Sequence, residues 1–437
     1  MKISFTLLIL SLSLIANSQT YPNIEIKAAA FSEALVTADY QTAVDYFTPE
    51  VFAQVDANKL KEIWNQIQDQ AGTYKSKAAV TVLKEGEIVA SYQALTFENT
   101  VLDLKLAFDA SESVAGILFL PHKIIELDLV DTDQIFEEEI LVKTGKDVEL
   151  RGILTLPKDA TKVPAIILVH GSGPNDMDET YGPNKLFKDL AHGLAEKGIA
   201  VIRYTKRTRE YTGPPAIDIA SLTLYEETIE DAISAVDLAK KDKRIDKKQI
   251  YVLGHSLGGM AVPRIGTLSK NTKGIIIMAG NAKPMEDLIY EQYQYLVEED
   301  GIVTPEEESL VVNYEGQLKA LEELLQDGET DGILPLGLPA KYWEYLAEYN
   351  QVETAVNLKK PILILQGKRD YQVTTTDFQI WKKVLANRAD CTFKIYEKLN
   401  HQMREGTGPS YPKEYNVKSD LPSYLITDIY EWINSQK

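Results

Sequence analysis

Over residues 28–47, and again over 58–70, apolar side chains recur every three or four positions, which predicts two helices that each bury one face. Pro49 separates them. The spacing then shortens to every second residue over 78–83, 87–95, 100–108 and 114–120. Polar turns such as Lys84-Glu85-Gly86 intervene, so these segments predict an antiparallel meander. Helices followed by a run of strands make residues 19–130 an α+β unit.

The pattern changes near Phe136. The segments EEEILVK and ELRGILTL flank Thr144-Gly145-Lys146-Asp147, a hairpin signal. Short, nearly continuous apolar runs follow: PAIILV (164–169), IAVIR (199–203), IYVL (250–253), GIIIM (274–278), PILIL (361–365) and TFKIY (392–396). Helical stretches such as 186–197 and 225–240 lie between most of them. Strands buried on both faces and alternating with helices define a parallel sheet. Two antiparallel strands leading six parallel ones predict an eight-stranded, mostly parallel, doubly wound sheet over 136–437. The stretch 284–351 is too long for a loop and is rich in Glu, Leu and Tyr. It reads as a helical cap inserted over the carboxyl ends of the strands, the edge where open α/β sheets bind ligands.

Composition narrows the partners. Of 437 residues, 65 are Asp or Glu and 46 are Lys or Arg, a formal net charge of −19. Such a surface repels phosphate backbones and anionic membranes, which excludes nucleic acid as an expected partner. The single cysteine, Cys391, excludes an internal disulfide and a Cys-rich zinc site. Residues 1–18, MKISFTLLILSLSLIANS, combine Lys2, an apolar run too short to span a bilayer, and small residues at Ala16-Asn17-Ser18. They read as a cleavable signal peptide, with a mature protein beginning near Gln19 in a periplasm or outside a cell. No cysteine follows the apolar run, so a lipid anchor is not indicated.

The chemistry centres on Gly254-His255-Ser256-Leu257-Gly258, which follows one apolar run and precedes a helical stretch. This is the G-x-S-x-G nucleophile elbow, whose tight turn lifts a serine hydroxyl clear of the sheet. A serine needs a base to take its proton. In the fold that carries this elbow, the acid and then the histidine follow the serine in the chain. Of the five histidines, only His401 lies beyond Ser256. The acid that orients it is assigned to Asp370, directly past PILIL; Asp377 and Asp390 are rivals in the right order. An oxyanion hole needs two backbone N–H groups. Leu257 supplies one. The loop His170-Gly171-Ser172-Gly173-Pro174 supplies the other, with Ser172 as first choice and Gly171 as the alternative. His170 is read as orienting that loop, and His122 and His192 as incidental. Competing chemistries lack their residues. Cys391 opens a predicted core strand, where cysteine behaves as a small hydrophobe. There is no H-E-x-x-H, and no G-x-G-x-x-G follows the first parallel strand. The expected enzyme is therefore free of cofactor and metal.

With these residues in view, the chain from about 136 to 437 resembles the secreted bacterial α/β-hydrolases of the serine-aminopeptidase-like and dienelactone-hydrolase-like groups. The resemblance rests on HGSGPNDMDET (170–180), GIAVIRY (198–204), LYEETIEDAISAV (224–236), GHSLGG (254–259), QGKRD (366–370) and LNH (399–401). Residues 20–121 resemble a small domain of unknown function with a nuclear-transport-factor-like α+β cone, through AGTYKS (71–76) and VAGILFLP (114–121). The resemblance implies an α/β-hydrolase fold and serine hydrolysis of a small carboxylic ester, an acylated sugar or aromatic ester among them. A serine aminopeptidase or other peptidase of the same fold acting on a short peptide, and a non-catalytic binding protein on the same scaffold, are the alternatives. Two departures stand out. Relatives usually carry R-Y-D-x-R-G where this chain has Arg203-Tyr204-Thr205-Lys206-Arg207-Thr208, so specificity does not transfer from them. Pro263 lies inside the predicted helix after Ser256 and should kink or shorten it.

Overall fold

The computed structural model describes residues 22–85, 88–122, 127–145, 148–211, 218–297 and 303–436. The signal-peptide reading lies outside the described residues, as do Gly86 of the first predicted turn and Lys146-Asp147 of the hairpin. The chain divides into two units. Among the described residues, one takes the chain up to Leu127 together with 208–211 and Asp218; the other takes Asp128–Arg207 and the described residues from Ile219 on.

In the first unit, the single helix expected over 28–47 is two, Pro22–Val36 and Tyr40–Val44. Ala38 turns the backbone left-handed at φ 62°. Asp39 then caps the second helix by accepting the Thr42 N–H, a local side-chain bond that competes with helix continuation. Asp56 caps the helix Ala57–Ala71 in the same way. Five antiparallel strands follow: Tyr74–Lys77, Thr81–Glu85, Ile88–Phe97, Val101–Phe108 and Val114–Pro121. The first of them was not predicted, and the strand expected over 78–83 begins at Thr81. Leu95, Phe97, Leu104 and Leu106 face inward, where they bury Phe31, Leu60 and Trp64 of the helices.

The second unit is built on eight strands: β1 (Ile135–Thr144), β2 (Val148–Pro157), β3 (Val163–Val169), β4 (Ala200–Tyr204), β5 (Ile245–His255), β6 (Gly274–Met278), β7 (Ile362–Gly367) and β8 (Cys391–Tyr396). Their spatial order is β8-β7-β6-β5-β3-β4-β2-β1. β1 and β2 form the leading hairpin and β2 is antiparallel to β4; the other neighbours are parallel. Alternate residues, Ile166 and Leu168, Tyr251 and Leu253, Leu363 and Leu365, bury against Leu190 and Leu194 of the helix Leu186–Glu196 and Ile429 and Trp432 of Ser423–Ser435. The helices Glu230–Lys241 and Leu257–Leu268 pack on the sheet as well.

Two local expectations change. The helix read over 225–240 opens with a π turn, Tyr225–Ile229, before the α-helix Glu230–Lys241. The helix after Ser256 is not shortened at Pro263 and runs on to Leu268. Proline removes one rung of its ladder, but burial along most of the helix holds it in place. The stretch between β6 and β7 is helical, with Met285–Val297, Pro305–Asp327, Ala340–Glu348 and Gln351–Asn357. Because β3 to β8 run parallel, the loops after β3, β5, β7 and β8 all emerge at one edge of the sheet.

Candidate active site

Ser256 sits between the end of β5 and the start of the helix Leu257–Leu268. Its φ and ψ are 54° and −119°, a strained backbone that the fold must hold in place. The flanking glycines show why no side chain is tolerated there. A Cβ at Gly254 would lie 2.1 Å from the Gly258 carbonyl oxygen, and one at Gly258 would lie 2.2 Å from that of Val169. The Ser256 N–H donates to Met278 O at 3.0 Å, which ties the elbow to β6.

The loops after β7 and β8 bring Asp370 and His401 together. A Cβ at Gly367 would lie 2.4 Å from Leu399 O, and Arg369 N–H donates to that oxygen at 3.0 Å, so the two loops are in backbone contact. His401 Nδ1 is 2.8 Å from Asp370 Oδ2. The remaining capacity of the carboxylate is filled by Gln372 N–H and Val373 N–H, both at 2.9 Å, and by Gln366 Nε2 at 3.1 Å. Both residues are buried. The rivals do other work. Asp377 accepts Ala282 N–H and Lys283 N–H at the entrance to the cap, and Asp390 pairs with Arg388.

His255, the residue before the nucleophile, joins the serine to this pair. Its ring lies 4.7 Å from that of His401, and its Nε2 is 2.9 Å from the His401 carbonyl oxygen. A carbonyl can only accept, so Nε2 carries the proton. Nδ1 lies 3.1 Å from Glu179 Oε2, off the hydrogen-bond line. Burial alone would push this imidazole down, but the Glu179 carboxylate outweighs it and raises His255 above the ordinary histidine value. Among the described residues, no hydrogen bond within 3.5 Å joins the Ser256 hydroxyl to His401. Such contacts commonly tighten only when substrate binds.

The acidic tail of HGSGPNDMDET organises the loop after β3. Glu179 Oε1 accepts the Gly171 N–H at 2.7 Å, which removes Gly171 as an oxyanion donor. Asn175 Nδ2 contacts the carbonyl oxygens of Gly171, Ser172 and Gly173. Arg203 and Lys185 hold Asp178. Among the described residues, the N–H groups of Ser172 and Leu257 have no acceptor. His170 Nε2 is 3.0 Å from Asp176 O, and burial pushes its imidazole down to about 4, so it holds the loop as a neutral ring. His192 pairs with Glu137, and His122 with Asp103. Burial pushes the Cys391 thiol up to about 11, which leaves it protonated and poorly nucleophilic.

The cap touches the catalytic loops through rings. Tyr295 stacks on Tyr371, beside Asp370, at 4.9 Å and lies 5.5 Å from Tyr411. Its hydroxyl donates to Ser410 O. A separate cleft, lined by Arg264, Thr267, Glu353 and Lys360, lies at the far end of the nucleophile helix and is remote from the chemistry.

Residues 164–405 match the family described as "Serine aminopeptidase, S33". Residues 28–117 match a domain described as a protein of unknown function, DUF3887. The esterase EstD of Thermotoga maritima is 35% identical over 424 residues, which cover 97% of this chain and 98% of that protein. The chain belongs to this family of serine hydrolases. Two solved structures of similar fold are Est1E from Butyrivibrio proteoclasticus and an esterase of Pyrococcus furiosus. The first is 18% identical, covers 68% of this chain and 98% of the other, and has a TM-score of 0.42. The second is 16% identical, covers 69% and 91%, and has a TM-score of 0.45. Within the family's matched span lie Ser256, Asp370 and His401, together with the buried residues that sequence reasoning passed over: Glu179, Lys206 and Glu227. Glu179 stood in the quoted motif. Glu227 stood within LYEETIEDAISAV and Lys206 within the segment 203–208 that departs from relatives, but nothing in either segment marked the residue as buried.

Proposed function

We propose that this chain hydrolyses carboxylic esters through an acyl-enzyme on Ser256. One observation carries the reading: the parallel sheet delivers a strained serine, a buried His401–Asp370 pair and two unpaired N–H groups to one edge. His401 Nε2 takes the Ser256 proton as Oγ attacks the carbonyl carbon, and then gives it to the departing alcohol. Asp370 fixes the tautomer through Nδ1. The N–H groups of Leu257 and Ser172 receive the tetrahedral oxyanion. Water, activated by the same histidine, releases the acid. The kinship with an esterase along nearly the whole chain supports an ester over an amide. The Tyr295, Tyr371 and Tyr411 rings beside the catalytic loops suit an aromatic ester or an acylated sugar.

A second reading, an aminopeptidase, is favoured by the description of the matching family. The test is p-nitrophenyl acetate against the matched anilide, with Ser256→Ala beside the wild type. The ester reading expects turnover of the ester alone, lost in the variant by several powers of ten. Faster cleavage of the anilide would replace it with the peptidase. Equal rates in the variant and the wild type would leave a binding protein.

Export also belongs to the proposal. Lys2, the apolar run and Ala16-Asn17-Ser18 support cleavage before Gln19 and a periplasmic or secreted enzyme. Intact-mass measurement of the protein from its native host checks this, and a retained residue 2 would refute it.

A further inference from the structure

Lys206 comes from the loop after β4, at a position that the R-Y-D-x-R-G pattern of relatives leaves open. Only 2% of it is exposed. Its Nζ donates to the Gly171 carbonyl oxygen at 2.9 Å and pairs with Glu227 Oε1 at 2.7 Å. Its backbone N–H donates to Asn175 O at 3.1 Å, so both ends of the residue grip the loop after β3. Glu227, itself buried, stands in the π turn and accepts at Oε2 from the Tyr342 hydroxyl at 2.5 Å. Tyr342 lies on the cap helix Ala340–Glu348.

The carbonyl that Lys206 holds belongs to the same peptide unit as the Ser172 N–H. In a trans peptide the two point in opposite directions, so a fixed carbonyl fixes the N–H. A cation on the oxygen also polarises the unit and strengthens its N–H as a donor. The neighbouring peptide is pinned from the other side by Glu179 on the Gly171 N–H.

We propose that Lys206 is a positioning residue for the oxyanion hole, and that Tyr342 of the cap completes it through Glu227. The hole then reaches full strength only with the cap seated. This rests on the ester-hydrolase reading with Ser172 as donor. Two charges that lose one partner would destabilise the fold, so the main variant is the double Lys206→Met/Glu227→Gln, which removes both charges together. Tyr342→Phe removes a single oxygen. Each is assayed for melting temperature, for kcat and KM on p-nitrophenyl acetate, and for inhibition by a trifluoromethyl ketone, whose hemiketal oxyanion occupies the hole.

The double variant should lose about 10- to 100-fold in kcat with KM nearly unchanged, and lose ketone affinity in proportion. Tyr342→Phe should lose about threefold in both. A folded double variant with kcat and ketone affinity within about twofold of wild type overturns the proposal. So does a fall in kcat without a fall in ketone affinity. If the double variant does not fold, an unchanged ketone affinity in Tyr342→Phe overturns it. Ser256→Ala separates the two levels. An active Ser256→Ala sinks the ester-hydrolase reading and this inference with it; an inactive one beside an unimpaired double variant sinks the inference alone.

Discussion

Glu179 Oε1 accepts the Gly171 N–H at 2.7 Å, while its other oxygen lies 3.1 Å from His255 Nδ1. One buried carboxylate therefore shapes the oxyanion loop and favours the charged form of the ring that holds the His401 carbonyl. Glu179→Gln can keep the first contact but not the charge. It should lower kcat about tenfold with little change in KM. Glu179→Ala strands the buried Gly171 N–H, at a cost of about 1–3 kcal/mol, and should also lower the melting temperature. Steady-state kinetics and thermal melts of the two variants check this. Wild-type kcat in both would mean that the pair is packing alone.

Asp370 receives three donors besides His401, so its orientation does not depend on the histidine. Asp370→Asn should leave the loop in place yet present the wrong group to Nδ1. The expected loss in kcat is about 10⁴-fold, with substrate binding retained. A loss of only tenfold would shift the acid's role to another residue.

Five strands were legible because burial on both faces writes itself as nearly unbroken apolar runs, from PAIILV to PILIL; TFKIY proved to be the edge strand, with Lys394 and Ile395 exposed. Ser256 was legible from its glycines, and His401 because no other histidine follows it. What pattern could not show was the work of charges. Asp39 interrupts a predicted helix through a side-chain bond three residues ahead. Lys206 and Glu227 reach their partners 35 and 115 residues away. Such pairings depend on how loops fold over the sheet edge, and spacing along the chain holds no record of that.

Glycines separate structural need from coincidence. At Gly258, a Cβ would stand 2.2 Å from Val169 O and 2.7 Å from His170 O, both backbone atoms. Gly258→Ala must move β3 or the elbow. It should cost about 3 kcal/mol or more and lower kcat at least about a hundredfold. Gly316, in the middle of the cap helix Pro305–Asp327, meets nothing within 4 Å. Gly316→Ala should instead stabilise by about 0.5–1 kcal/mol, through helix propensity. Chemical denaturation of both variants tests the contrast, and a tolerated Gly258→Ala would mean the elbow can relax.

Acid should unfold the larger unit through Glu137 and His170. Burial works to raise Glu137, but His192, Arg203 and the Val130 N–H outweigh it and hold its carboxyl at about 2, against 4.5 for an ordinary glutamate. The unfolded chain therefore takes up this proton first as pH falls. The contribution of Glu137 is complete above 4.5 and is lost between 4.5 and about 2. His170 acts in the adjoining window. Burial lowers it from 6.5 to about 4, so protonation favours the unfolded chain as pH falls between those values. The wild type should thus begin to lose melting temperature below 6.5. The gap between wild type and Glu137→Gln should be full at neutral pH, shrink below 4.5 and close near 2. Melting curves over that range decide it; a gap that stays constant down to pH 3 would show, on the same linkage, that the Glu137 carboxyl is not depressed in the folded protein.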